Sequence, residues 1–182
     1  MNETYDPDVI KTAFEKIITS RGKDYLDAKK VIINLGEKSI AFLENLANLE
    51  DWQKQTFSLL LLQQIREPEK YLDLREKLQD NITFCYRFVN PYSPRFSGYL
   101  KGFKSENTIP FLVEILLKDW GDDRKSNFGF FQHKNSNLSA NNDLIRAIAA
   151  YALGEIDNLS AMEPLIEALK QEIQTEATDC KE

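Results

Sequence analysis

The residues that could carry out chemistry are few and widely separated. His133 is the only histidine, which excludes a multi-histidine metal site and leaves histidine-dependent catalysis to one residue in a polar stretch. Cys85 and Cys180 lack metal-ligand spacing, and two free thiols in a reducing cytosol are favoured over a disulfide. The carboxylates of Asp122 and Asp123 indicate a turn rather than a metal site. We therefore predict a protein that is not an enzyme and that uses no metal or cofactor.

Charge and composition narrow the class of partner. The formal net charge is −6, whereas a general nucleic-acid binder would be basic, so the balance favours another protein with a basic surface. No apolar run approaches the ~20 residues of a membrane helix, and the first residues lack the pattern of a secretory signal. We expect a cytoplasmic protein that does not contact a membrane. The length of 182 residues fits one domain over 1–182.

A spacing of apolar residues that recurs along the chain predicts the architecture. Starting from Leu153, further apolar residues follow at +3, +12 and +16, which are Ile156, Leu165 and Leu169. The same spacing occurs at Leu62, Ile65, Leu74 and Leu78 and again at Leu100, Phe103, Leu112 and Leu116, and a shortened copy lies at Leu35, Gly36, Leu43 and Leu46. Each copy predicts two helices whose apolar positions pack against neighbouring copies. The sequence therefore predicts an all-α fold, a right-handed α-solenoid of about four helix pairs with an N-terminal capping helix.

The last copy resembles a known repeat family. Residues 145–172 resemble a HEAT-type repeat of the phycobilisome-lyase-like subgroup, with matching residues at Arg146, Ala149, Ala152, Leu153, Gly154, Ile156, Ala161, Leu165 and Leu169. Residues 25–80 match more loosely, because Gln55 and Gln63 stand where the pattern has arginine and glycine. The resemblance implies stacked HEAT-like helix pairs. It also implies an alternative function, that of a bilin lyase or phycobilisome-handling factor.

Capping residues and periodicity give the helix boundaries. A first helix is predicted from Asp6 and Pro7, and a second is predicted to end at Gly36. Further helices are predicted over 38–49, 51–65, 67–79, 109–118, 140–156 and 160–175, followed by a frayed tail at 176–182.

Two irregular insertions interrupt the repeat. Segment 81–104 contains seven aromatic and four basic residues and no acidic one, and its 82–89 run fits either a helix or a strand. Most of its aromatics are assigned to the core, whereas Tyr92, Arg95, Tyr99 and Lys101 are predicted to bind a partner. Segment 119–142 is predicted to be an inserted loop that is long enough to be functional, with Trp120, Phe128 and Phe130 as binding residues.

These features predict a protein–protein interaction module. A small acidic adaptor and an inhibitor that neutralises its partner, in the manner of an immunity protein, fit the sequence equally well. A third alternative is nucleic-acid binding through 81–104, where bases would stack on aromatic rings beside cations. The −10 charge of the remaining residues opposes that alternative.

Overall fold

A computed structural model describes residues 7–77, 103, 105–118, 139–156 and 158–179, and within the last two helices the side chains of 146–156 and 158–173. All regular structure in this part of the chain is helical, as predicted. The described residues belong to two compact units, one formed by 7–74 and the other by the remainder. The single solenoid domain, its handedness and its four helix pairs stay predictions.

The first unit consists of two helical hairpins. Helix α1 (Pro7–Thr19) pairs with α2 (Gly22–Leu35), and α3 (Ile40–Ala47) pairs with α4 (Trp52–Arg66). A 3-10 turn at Gly36–Ser39 connects the hairpins, and residues 68–77 form a further helical segment. Helix α4 contacts both α1 and α2, so the hairpins pack against each other.

Apolar faces hold the two hairpins together. Helix α1 buries Ile10, Ala13, Phe14 and Ile17, which lie on one side because a helix repeats every 3.6 residues. The ring of Phe14 meets Phe42 of α3 edge-on, with centroids 5.9 Å apart. Edge-on contacts of this kind stabilise aromatic pairs beyond the area they bury.

A buried lysine joins α2 to the segment 68–77. Lys29 is only 7% exposed, and its ammonium donates a hydrogen bond of 3.1 Å to the hydroxyl of Tyr71. The same nitrogen lies 4.8 Å from the centroid of the Tyr71 ring and 5.9 Å from that of Tyr25. Both distances suit a cation–π interaction, which offsets part of the cost of burying the charge.

The second unit is built around a completely buried helix. Helix α5 (Ile109–Leu117) follows a 3-10 turn at Glu106–Thr108, and all of its residues are buried. Helices α6 (Ser139–Gly154) and α7 (Met162–Asp179) pack on α5, and a 3-10 turn at Leu159–Ala161 precedes α7. Among the described residues, no helix combines the length and the apolar character needed to cross a bilayer.

Most predicted packing positions lie in the core, with one clear exception. Seven of them are buried, namely Leu43, Leu62, Phe103, Leu112, Leu116, Leu153 and Ile156. Leu169 is 61% exposed, so its assignment as a packing residue is wrong. The helix boundaries differ from the predicted ones by a few residues, and α7 continues to Asp179 rather than ending near 175.

Candidate binding surface

The seven residues that the sequence proposed for partner binding are Tyr92, Arg95, Tyr99, Lys101, Trp120, Phe128 and Phe130, and all of them lie outside the described residues. From the same aromatic segment the structure describes Phe103, which is fully buried. The hydroxyl oxygen of Thr108 lies 2.6 Å from the carbonyl oxygens of Phe103 and Ser105. Phe103 is therefore held beside the turn that precedes Ile109, in agreement with its assignment to the core.

A metal centre is absent from the part of the chain that the structure describes. Its aspartate and glutamate side chains form no group of three or more that could hold an ion, and His133, Cys85 and Cys180 lie outside the described residues. Among the described helices, the largest set of exposed apolar side chains belongs to α7.

Four large apolar side chains form one exposed face of α7. Met162, Ile166, Leu169 and Ile173 are between 41% and 61% exposed. Their spacing of four, three and four residues places them within about 60° of the helix circumference. We call this set the α7 stripe. Exposed apolar residues that are scattered need no explanation, but a continuous set on one helix face indicates an interaction surface.

The other face of α7 belongs to the core of the unit. Pro164 and Ala168 are buried, as is Ala161 in the 3-10 turn before the helix, and Leu165 is half-buried. The helix therefore has two apolar faces, of which one packs on α5 and α6 and the other meets solvent. A surface helix of a globular protein ordinarily has a single apolar face opposite a charged one.

An open groove of about 410 Å³ lies beside the stripe, between α6 and α7. Three alanines, Ala147, Ala150 and Ala168, line it and leave room where larger side chains would fill the space. Leu169 belongs both to the stripe and to the groove, so the two form one continuous surface. The remaining lining residues are Leu116, Arg146, Leu165 and Glu172.

Arg146 forms the polar wall of this groove and connects three helices. Its Nε donates a hydrogen bond of 3.1 Å to the carbonyl oxygen of Leu116 at the end of α5. Its guanidinium also forms an ion pair with Glu172 of α7. The last carbonyls of a helix have no partner within the helix and carry its negative dipole end, so a cation at this point stabilises the packing.

The polar residues around the stripe are mainly acidic. Glu163 and Glu172 flank it together with Lys170. Glu167 lies further round the helix, and Glu172 is paired with Arg146. Over its whole length α7 contains five acidic residues and one basic residue. The apolar stripe therefore lies in a negative electrostatic environment.

A second groove lies in the first unit, between α1 and α2, and has a volume of about 530 Å³. Asp8, Asp24 and Asp27 line it together with Lys16. It contains fewer large apolar side chains than the α7 stripe, and a group of carboxylates alone does not define a binding site.

The stripe can be recognised in the sequence when α7 is examined for two apolar faces instead of one. The spacing of Met162, Ile166, Leu169 and Ile173 follows the heptad pattern that helices use to pack against other helices. Sequence reasoning assigned Leu169 to the core because it fits the repeat spacing that begins at Leu153. The pattern shows that a residue belongs to an apolar face, but it does not show whether another element covers that face.

The comparisons with known proteins concern this same region. No curated protein and no solved structure matches the chain significantly. A family model described as PBS lyase HEAT-like repeat matches residues 145–171. The match contains Arg146, most of α7 and three of the four stripe residues. It confirms the resemblance inferred from the sequence, and the α6–α7 pair is similar to a HEAT-like repeat.

Proposed function

We propose that the protein is a non-enzymatic protein-binding module of the cytoplasm, built as a right-handed α-solenoid of about four HEAT-like helix pairs. The observation that carries the proposal is the α7 stripe, an exposed apolar face with three of its four residues inside the segment that matches a HEAT-like repeat. Repeat proteins of this architecture bind partners on the surfaces that their stacked helices create. An adaptor and an inhibitor of its partner both fit this function.

Site-specific cross-linking in cells tests the proposal. A photoreactive phenylalanine analogue replaces Leu169 in the stripe, and in a matched control it replaces Leu72, an exposed leucine of the first unit. We expect a discrete adduct with another protein from position 169 and none from position 72. The same analogue at position 31 tests the α1–α2 groove. At positions 92 and 130 it tests segments 81–104 and 119–142.

The outcome separates the function from its location. An adduct from position 31, 92 or 130 but not from 169 would support protein binding and move the surface elsewhere. Adducts from no position, at expression levels equal to those of the unsubstituted chain, would refute the proposal.

Bilin handling is the second candidate, and it is supported by the description of the matched repeat. A protein of that class would bind a linear tetrapyrrole and deliver it to a cysteine of an acceptor protein. Mixing the chain with a bilin should then shift and intensify the visible absorbance. An unchanged spectrum at micromolar protein would dismiss this candidate.

A further inference from the structure

We infer that the α7 stripe accepts an amphipathic α-helix of a partner protein, with apolar residues along one face and lysine or arginine on both sides of that face. The inference rests on the proposed protein-binding function and adds the chemistry of the partner. It follows from the shape of the surface and from its charge.

The geometry of the stripe matches a helix. Its residues span about three turns, or about 17 Å, at 1.5 Å per residue. A spacing of four, three and four residues is the spacing of heptad core positions, where each side chain of one helix fits between four side chains of the other. The adjoining groove beside Leu169 has room for a large side chain of the partner. This is the helix-in-groove mode of recognition.

The charge of the surface selects a basic helix. In the heptad frame Glu163 and Lys170 occupy one flank of the stripe, and Glu172 occupies the other. Glu167 lies one position further from the stripe, and Arg146 forms an ion pair with Glu172. Three carboxylates and two cations therefore lie around the stripe and its groove, which leaves a net negative charge. The charge is also negative at longer range, since α7 contains five acidic residues and one basic residue and the chain has a net charge of −6. Complementary charge speeds association and rejects partners of like charge.

A second copy of the chain fits the surface less well. Each of two α7 helices would bring a net negative charge, with five acidic residues against one basic residue, and Glu163 and Lys170 could pair across an antiparallel arrangement. A single helix pair of about three turns also buries far less than the 2,000 Å² or more of obligate homodimers. The size of the surface and its charge both favour a different, basic partner.

Binding of two labelled synthetic peptides to the full chain tests the inference. Both peptides contain three heptads with leucine at the two core positions. One has lysine at the flanking positions, and the other has glutamate there. We expect the lysine peptide to bind at least ~10-fold more tightly by fluorescence anisotropy, and to weaken as sodium chloride is raised, since salt screens exposed charges.

A pair of variants assigns that binding to the stripe. Ile166→Gln combined with Leu169→Gln should weaken binding of the lysine peptide at least ~10-fold, because the apolar contact is lost while the charge is unchanged. Leu49→Gln combined with Leu72→Gln alters two exposed leucines of the first unit and should leave the affinity within about 2-fold. Circular dichroism verifies that both variants keep the helix content of the parent chain.

Three results would overturn the inference. They are equal affinity for both peptides, unchanged affinity after the two stripe substitutions, and a dimer at neutral pH that those substitutions abolish. If the lysine peptide fails to bind while position 169 still cross-links to a protein, the proposed function is supported and the inference of a basic helical partner is refuted. If the lysine peptide does not bind and no position cross-links to another protein, the proposed function is refuted as well.

Discussion

At the scale of single residues, Arg146 stabilises the packing of three helices and also borders the candidate surface. Its bond to the Leu116 carbonyl lies between helices, whereas its partner Glu172 is about half exposed.

We predict that Arg146→Met lowers the free energy of unfolding by about 2 kcal/mol, because a charge-assisted hydrogen bond is lost. Glu172→Gln should cost about 0.5 kcal/mol, the value typical of an exposed ion pair. Urea unfolding measures both losses. Equal losses would show that the ion pair, and not the bond to the α5 carbonyl, provides the stabilisation.

Asp51 illustrates how one side chain fixes the start of a helix. Its carboxylate accepts hydrogen bonds of 3.1 and 3.2 Å from the amides of Gln53 and Lys54, and the Lys54 ammonium lies 3.3 Å away. Burial raises the pKa of Asp51, but the two amides and the Lys54 charge outweigh burial and hold that pKa below its usual value.

We therefore predict that the stabilisation provided by the Asp51 cap depends on pH. Asp51→Ala should cost about 1 kcal/mol at neutral pH, and Asp51→Asn less, since asparagine also caps helices. A lowered folded-state pKa stabilises the protein above the unfolded pKa, and this stabilisation is lost as the pH falls through the folded pKa. The stability difference between the parent and Asp51→Asn should therefore narrow in acid. A constant difference in urea unfolding between neutral and acidic pH would contradict this account.

At the scale of elements, two glycines at helix ends form a matched pair for a test of backbone strain. Gly36 ends α2 with φ of 53° and ψ of −126°, a conformation that is almost confined to glycine. Gly154 ends α6 without a positive φ, and a β-carbon would meet nothing within 4 Å at either position. Any difference between the two alanine variants therefore reflects the backbone rather than crowding.

We predict opposite signs for the two substitutions. Gly36→Ala should destabilise the protein by about 1–3 kcal/mol through strain, with a lower melting temperature. Gly154→Ala should be neutral or stabilise it by up to about 1 kcal/mol, since alanine loses less entropy in a helix. Thermal unfolding followed by circular dichroism measures both effects. A destabilisation of similar size in the two variants would show that φ is not the cause.

Local rules predicted the elements well. Capping and periodicity located α2 ending at Gly36, α4 within one residue of the predicted 51–65, and α5 over the 109–118 run. The 3-10 turns before α3 and α7 account for helix starts that lie about two residues later than predicted. Boundaries are set by these short-range contacts, so they can be derived from neighbouring residues.

Contacts between distant elements could not be derived in the same way. A lysine in a helix is ordinarily expected in solvent, yet Lys29 is buried and donates a hydrogen bond to Tyr71, 42 residues away. Leu169 and Leu153 belong to one apolar pattern, but neighbouring helices cover only Leu153. The candidate surface was missed for this reason, since apolar periodicity is the same for a covered and an uncovered face.

At the scale of the whole molecule, net charge controls whether copies associate through the exposed stripe. The chain carries −6 at neutral pH, and repulsion between copies then opposes contact of two acidic α7 helices. As the pH falls toward the isoelectric point of about 5.0, carboxylates become protonated and this repulsion disappears. The hydrophobic driving force for burying the stripe stays the same over this pH range, because none of its four side chains titrates.

We therefore predict that the chain is monomeric at neutral pH and self-associates near pH 5.0, and that the α7 stripe is responsible. Sedimentation equilibrium should show the weight-average mass rising on acidification for the parent chain. The rise should be much smaller for Ile166→Gln combined with Leu169→Gln, and unchanged for Leu49→Gln combined with Leu72→Gln. All three chains have the same titratable groups, so charge cannot explain a difference between them. Equal association of the three chains would show that self-association uses a surface outside α7, and it would refute the role predicted here for the stripe.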